Sequence, residues 1–164
     1  MKKIELEIVA LSHSITQTHS YAVVLGEVNG LRRLPIVIGG FEAQAIAVAL
    51  EKMQPSRPLT HDLFIQTLTQ LGVQLEQIVV TEMRDHTYFA ELHLRRDGGD
   101  LTVMSSRPSD AIALAVRCQA PLFASEELLD EVGQEPTPEP EEEAEEIIDE
   151  FRDFIEHVNP DDFA

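Results

Sequence analysis

The sequence predicts an α+β fold: a mostly antiparallel β-sheet with Ala-rich helices packed on it, plus a C-terminal acidic amphipathic helix. Three observations carry that expectation. Short runs alternate apolar and polar residues with period two and are separated by turn-forming pairs. Two other runs, residues 42–50 and 110–116, open with a carboxylate and then carry alanine at every second place. Small residues of that kind let a helix approach a sheet or another helix closely, so these two are expected to be the buried helices. The strand-like and helix-like runs also interleave along the chain, as helices inserted between hairpins would.

Ile4-Glu5-Leu6-Glu7-Ile8 alternates as a half-buried strand does. Residues 21–28 and 31–38 flank Asn29-Gly30, the strongest short hairpin signal. Gly39-Gly40 ends the second of these strands, and residues 41–53 read as an alanine-rich helix. Thr60 is a suitable cap for a helix through Leu71, closed by Gly72. Residues 73–83 and 87–94 read as paired strands around Arg84-Asp85-His86, and Asp97-Gly98-Gly99-Asp100 turns the chain into a third strand, 101–104. A helix over 108–118 follows, then a short strand, 122–124, and a last short helix capped by Ser125 and ending before Gly133. The body of the protein is therefore expected to span residues 1–133.

From residue 134 the character changes. Pro136, Pro138 and Pro140 stiffen a linker that runs into Glu141-Glu142-Glu143. Beyond it, Ile147, Ile148, Phe151, Phe154, Ile155 and Val158 fall at helical offsets and form one apolar stripe on an acidic background. Such a stripe predicts a helix that docks, on this body, on a second subunit in a homo-oligomer, or on a partner.

The chain has a formal net charge of −18, of which residues 1–132 carry −6 and residues 133–164 carry −12. Three lysines stand against nine arginines. Nucleic-acid binding through a broad basic surface is thereby disfavoured, because a phosphate backbone asks for clustered positive charge. With no tryptophan and no basic stripe carrying aromatics, sequence-specific readout is a poor expectation too. Cys118, the single cysteine, excludes an internal disulfide and is expected to be buried in its helix. No long apolar run is present, and no hydrophobic leader follows Met1-Lys2-Lys3, so the expectation is a cytoplasmic protein without a membrane segment.

Two segments share the tripeptide Ser-Arg-Pro and each leads into a helix: Ser56-Arg57-Pro58-Leu59-Thr60-His61-Asp62 and Ser106-Arg107-Pro108-Ser109-Asp110. Arginine, hydroxyls and a carboxylate thus gather where helix amides are unpaired, a place suited to an anion. The same residues are also ordinary helix-starting chemistry, with Pro in the first turn and Ser, Thr or Asp as caps.

Taken with Leu34-Pro35-Ile36-Val37-Ile38-Gly39 leading into Glu42-Ala43, these two segments resemble the bifunctional nuclease (BFN) domain family over roughly residues 4–133. The ending from Phe151 to Phe163 resembles the tail of some bacterial members. The resemblance implies hydrolysis of DNA and RNA, with nucleic acid as substrate. Phosphodiester hydrolysis needs an activated water, neutralisation of the non-bridging oxygens and help for the leaving group, and nucleases often meet these needs with carboxylate-held cations. On that basis Glu42, His61 and Asp110 are the catalytic candidates, Arg57, Arg107, Ser106 and Ser109 the substrate-binding ones, and Glu42, Asp62 and Asp110 the ligands of a divalent metal, Mg²⁺ or Mn²⁺. Structural roles are open for every one of them: a carboxylate in a first helical turn is stabilised by the helix dipole, and the arginines can bridge helix starts. The rival reading keeps the fold without turnover, as an interaction or regulatory protein assembling through its tail helix.

Overall fold

A computed structural model describes residues 1–13 and 20–136; the predicted tail helix and most of its linker lie outside the described residues. Seven strands form one mixed sheet in the order β3-β2-β1-β7-β4-β5-β6. They are β1 (Lys3–His13), β2 (Ser20–Glu27), β3 (Arg33–Gly39), β4 (Val73–Arg84), β5 (Thr87–Arg96), β6 (Leu101–Ser106) and β7 (Leu122–Ser125). Four helices, α1 (Gly40–Leu50), α2 (Thr60–Gln70), α3 (Pro108–Cys118) and α4 (Glu126–Val132), complete the α+β architecture. Every neighbouring pair of strands is antiparallel except β4 and β7, which run parallel.

The sheet is two antiparallel three-stranded units, β1–β3 and β4–β6, joined by the four-residue β7. α1 packs on β2 and β3, α3 on β4 and β5, and α3 also touches both α1 and α2. One hydrophobic core results. It includes Leu11, Val23, Leu25, Leu34 and Ile36 from one unit, Ile78, Val80 and Leu92 from the other, and Ile46 and Ile112 from the helices. Alanine makes this close fit possible, since Ala43 and Ala47 of α1 and Ala111, Ala113 and Ala115 of α3 are all fully packed.

Several local expectations change in the structure. β1 continues to His13 rather than stopping at Ile8, because a bulge between Ile8 and Ala10 breaks the alternation while pairing goes on. The hairpin at Asn29-Gly30 is real, but its loop is longer than two residues: Glu27 donates its N–H to the Arg32 carbonyl at 3.1 Å. Glu27 fills this loop with its carboxylate, which accepts from the Arg32 backbone at 3.0 Å and from Arg32 Nη2 at 2.8 Å. Gly30 leaves room for it, since a Cβ there would lie 2.8 Å from Glu27 Cδ. The tight two-residue hairpin is instead Asp85-His86, between the paired Arg84 and Thr87, with both residues at positive φ. α1 ends at Leu50, and Lys52 enters the left-handed region soon after. α2 is capped at Leu59, not Thr60. Leucine offers no acceptor, so only half of a capping box forms, with Asp62 Oδ2 accepting from the Leu59 N–H at 2.9 Å. Ser125 caps α4 as its sequence suggests, accepting from the Leu128 N–H at 3.2 Å. Cys118 is exposed rather than buried, since it falls in the last turn of α3 with its thiol turned back to the Leu114 carbonyl at 3.4 Å.

Candidate active site at three helix starts

The first turns of α1, α2 and α3 come together through side chains. Each begins as the chain leaves an extended segment, so each N-terminus presents unpaired amides and a partial positive charge. α3 lies between the other two, and its N-cap residue, Arg107, is the hub. Arg107 Nε donates to Asp110 Oδ2 at 2.8 Å, and its Nη1 donates to Glu42 Oε1 at 3.1 Å. Asp110 Oδ1 meets His61 Nε2 at 2.9 Å. Glu42, Arg107, Asp110 and His61 therefore form one continuous chain across three helices.

Local sequence explains why each side chain arrives there. Pro108 fixes the first turn of α3 and is itself buried. Three residues after Arg107, Asp110 faces back to that N-cap arginine. Glu42 stands at the equivalent place in α1 and folds back over Gly39, where a Cβ would come within 2.5 Å of its Oε2. Burial opposes ionisation of Asp110, but hydrogen bonds from Arg107 and His61 outweigh it and hold the carboxyl below its ordinary value. Asp110 is thus an anion at neutral pH. The same carboxylate, with Glu42, raises the pKa of Arg107 further.

Asp62 behaves differently. Its Oδ1 accepts from Arg117 Nε at 2.8 Å, while its Oδ2 caps α2. Asp110 and Arg117 are seven residues apart on α3, about two turns, and so share one face. Consecutive residues of α2, His61 and Asp62, reach in opposite directions along that face. Arg117 escaped sequence reasoning. Its signal was an arginine two turns after Asp110 in an otherwise apolar helix, on the stripe facing α2.

The three carboxylates expected to hold a metal consequently do not meet: among the described residues no group of three or more His, Cys, Asp or Glu is arranged to hold an ion. Glu42 and Asp110 are bridged by the Arg107 guanidinium, which stands where a cation shared by them would stand. The donor set does not fit a preformed divalent site. Of the remaining candidates, Arg57 is exposed in the loop before α2 and has no ion pair among the described residues. Ser106 donates to the Arg107 carbonyl at 2.8 Å, and Ser109 is buried in the first turn of α3.

The bifunctional nuclease domain matches residues 23–137, a span that holds all three helix starts. The chain belongs to the bifunctional nuclease domain family. An uncharacterized protein of Mycobacterium tuberculosis is 37% identical over 146 residues, covering 86% of this chain and 87% of that protein. Bifunctional nuclease 2 of Arabidopsis thaliana is 32% identical over 91 residues, and Bifunctional nuclease 1 of the same plant 31%. These matches cover 54% of this chain and only 28% of each plant protein. No helix among the described residues is long and apolar enough to cross a membrane.

Proposed function

We propose that this BFN-family chain is a nuclease, hydrolysing phosphodiester bonds of DNA and RNA at the Glu42–Arg107–Asp110–His61 constellation, in a cytoplasmic setting. The observation that carries the proposal is the His61–Asp110 contact of 2.9 Å beside a guanidinium that keeps free N–H groups. With Asp110 ionised, His61 Nε2 donates to it and Nδ1 becomes the acceptor. That nitrogen can take the proton of an attacking water, as carboxylate-oriented imidazoles do. Arg107 engages protein through Nε and Nη1, leaving Nη2 for a non-bridging phosphate oxygen. The amides at the starts of α1 and α3 add positive potential for the same anion. Glu42 positions Arg107.

No step is assigned to a metal, because Arg107 occupies the space between the two carboxylates. A second reading draws on the same contacts: Arg107 and Arg117 tie α3 to α1 and α2, as a purely structural role in a non-catalytic interaction protein would require.

The test is cleavage of labelled single-stranded DNA and RNA by purified protein, beside Asp110→Asn and Arg107→Ala, in EDTA, Mg²⁺ and Mn²⁺. Cleavage lost in both variants, with thermal unfolding little changed, supports the site. The metal arms decide separately whether Mg²⁺ or Mn²⁺ takes part. Cleavage that both variants retain removes this site, and no cleavage under any condition selects the interaction reading.

A further inference from the structure

One aromatic ring stands open beside the three helix starts. The other aromatics among the described residues are engaged: Tyr21, Phe64 and Tyr88 pack against the core. The Arg84 guanidinium lies over the Phe89 ring at 4.3 Å, and the Lys3 ammonium over Phe123 at 5.3 Å. Phe41 has neither kind of cover and is 87% exposed. Helix phase puts it there. Ala43, Ile46 and Ala47 form the buried side of α1, and Phe41 precedes Ala43 by two residues, about 200° round the helix. A comparison of the second residue in each helix makes the same point. In α3 it is the buried Ser109, and in α2 it is His61, bonded to Asp110 at 2.9 Å. In α1 it is Phe41, turned to solvent.

Its place is next to the proposed phosphate seat. Phe41 and Glu42 are consecutive, with Cα atoms about 3.8 Å apart, and Glu42 Oε1 accepts from Arg107 Nη1 at 3.1 Å. Phe41 also belongs to the helix turn whose unpaired amides attract the same anion. A phosphate on Arg107 therefore brings its own or a neighbouring nucleotide within reach of the ring. Open aromatic faces take unpaired bases by stacking, whatever the sequence. A duplex keeps its bases stacked on one another and offers none at its side. The exposed leucines, Leu31, Leu63 and Leu71, carry no ring face for a base.

We propose that Phe41 is a stacking platform for an unpaired nucleobase beside the phosphate held by Arg107, and that it directs the site to single-stranded DNA and RNA over duplex. This role rests on the nuclease reading of the same site. Phe41 moves no proton; it holds the strand, so its effect falls on KM more than on kcat.

The chain has no tryptophan, so Phe41→Trp places one fluorophore at the ring and keeps a stacking face. Titration of this variant with phosphorothioate oligo(dT), which resists cleavage, and with a hairpin duplex of the same backbone reads stacking directly. Initial rates of the wild type, Phe41→Trp and Phe41→Ala on labelled single strands and duplex read its use. The expected result is saturable quenching by the single strand, with the duplex binding roughly tenfold more weakly. In Phe41→Ala the KM for single strands should rise about tenfold, more than any change in kcat, and Phe41→Trp should return it toward the wild-type value. No quenching by the single strand, or equal quenching by duplex, overturns the platform, and a wild type that still cleaves then keeps the nuclease reading without it. Quenching without cleavage by the wild type upholds the platform and removes the nuclease reading, so the two fail separately. Emission that shifts with protein concentration before any strand is added puts the ring at a contact between copies and overturns the platform as well.

Discussion

The two Ser-Arg-Pro segments begin alike and end in different roles. In the first, Arg57 sits in an exposed loop, two residues short of the cap of α2. In the second, Arg107 is itself the N-cap, because β6 runs directly into α3 with no intervening loop. That difference of two residues decides everything downstream. An arginine at the cap position lies over its own helix start and reaches the carboxylate three residues on, as Arg107 reaches Asp110 at 2.8 Å. An arginine further out has nothing to brace it. The partners of the carboxylates diverge as well: Asp62 pairs with the almost fully covered Arg117, whose side chain is 6% exposed, whereas Asp110 pairs with His61 and with Arg107, whose side chain is 63% exposed. The motif is the same, and its position relative to the cap decides whether its arginine is exposed in a loop or joins the ion pairs across the helix starts.

That contrast can be broken by substitution. His61→Ala or Asp110→Asn is expected to reduce nucleic-acid cleavage by about 10² to 10⁴-fold, the usual worth of a positioned acid–base group, with urea unfolding near the wild type. Arg117→Ala should do the reverse. Removing a covered cation and stranding Asp62 is expected to cost about 2–4 kcal/mol in urea unfolding, while cleavage per folded molecule persists. Equal effects of Asp110→Asn and Arg117→Ala on both readouts would erase the distinction between the segments.

A finer comparison uses the arginines themselves. Arg107→Lys keeps charge but loses the fork that serves two carboxylates, so roughly a tenfold loss of cleavage is expected; Arg57→Lys should lie within about twofold of wild type. The smallest effect is a pH dependence. Asp110 is held below its ordinary carboxyl value in the folded state. Its contribution to stability is therefore present above the unfolded value, about 3.9, and is lost as pH falls through the lower folded value. Because the pair is partly solvated, roughly half a kcal/mol is expected. Urea titrations between pH 5 and 2 should show Asp110→Asn with a shallower acid slope than the wild type.

Much of this fold was legible because local patterns and tertiary structure agree. The alternation of β2, the turn at Asp97–Asp100 and the Pro108 start of α3 each carry their own signal. Where the alternation is interrupted, as at the Val9 bulge, the strand looks shorter than it is. A loop filled by a carboxylate, as Glu27 fills the 28–31 turn, looks like a two-residue hairpin. The parallel pairing of β4 with β7 left no local trace at all, since it depends on α3 bringing the chain back. At the site, Glu42, His61, Arg107 and Asp110 could be named from helix-start chemistry. That Asp62 and Arg57 stand apart from them follows from helix phase and one loop, which no spacing of residue types displays.

The parallel strand has a consequence in time. β7 is the last strand of the body to be made, yet it occupies the middle of the sheet, between β1 and β4. Until residues 122–125 have left the ribosome, the β1–β3 and β4–β6 units have no shared strand, and their core faces wait for one another. Four residues thus act as a closing stitch, formed late and over long sequence separation, which is the costly kind of contact for a folding chain. Phe123 and Ala124 are where substitutions should slow completion of the sheet more than they slow either hairpin, a difference that stopped-flow folding paired with hydrogen-exchange labelling would register.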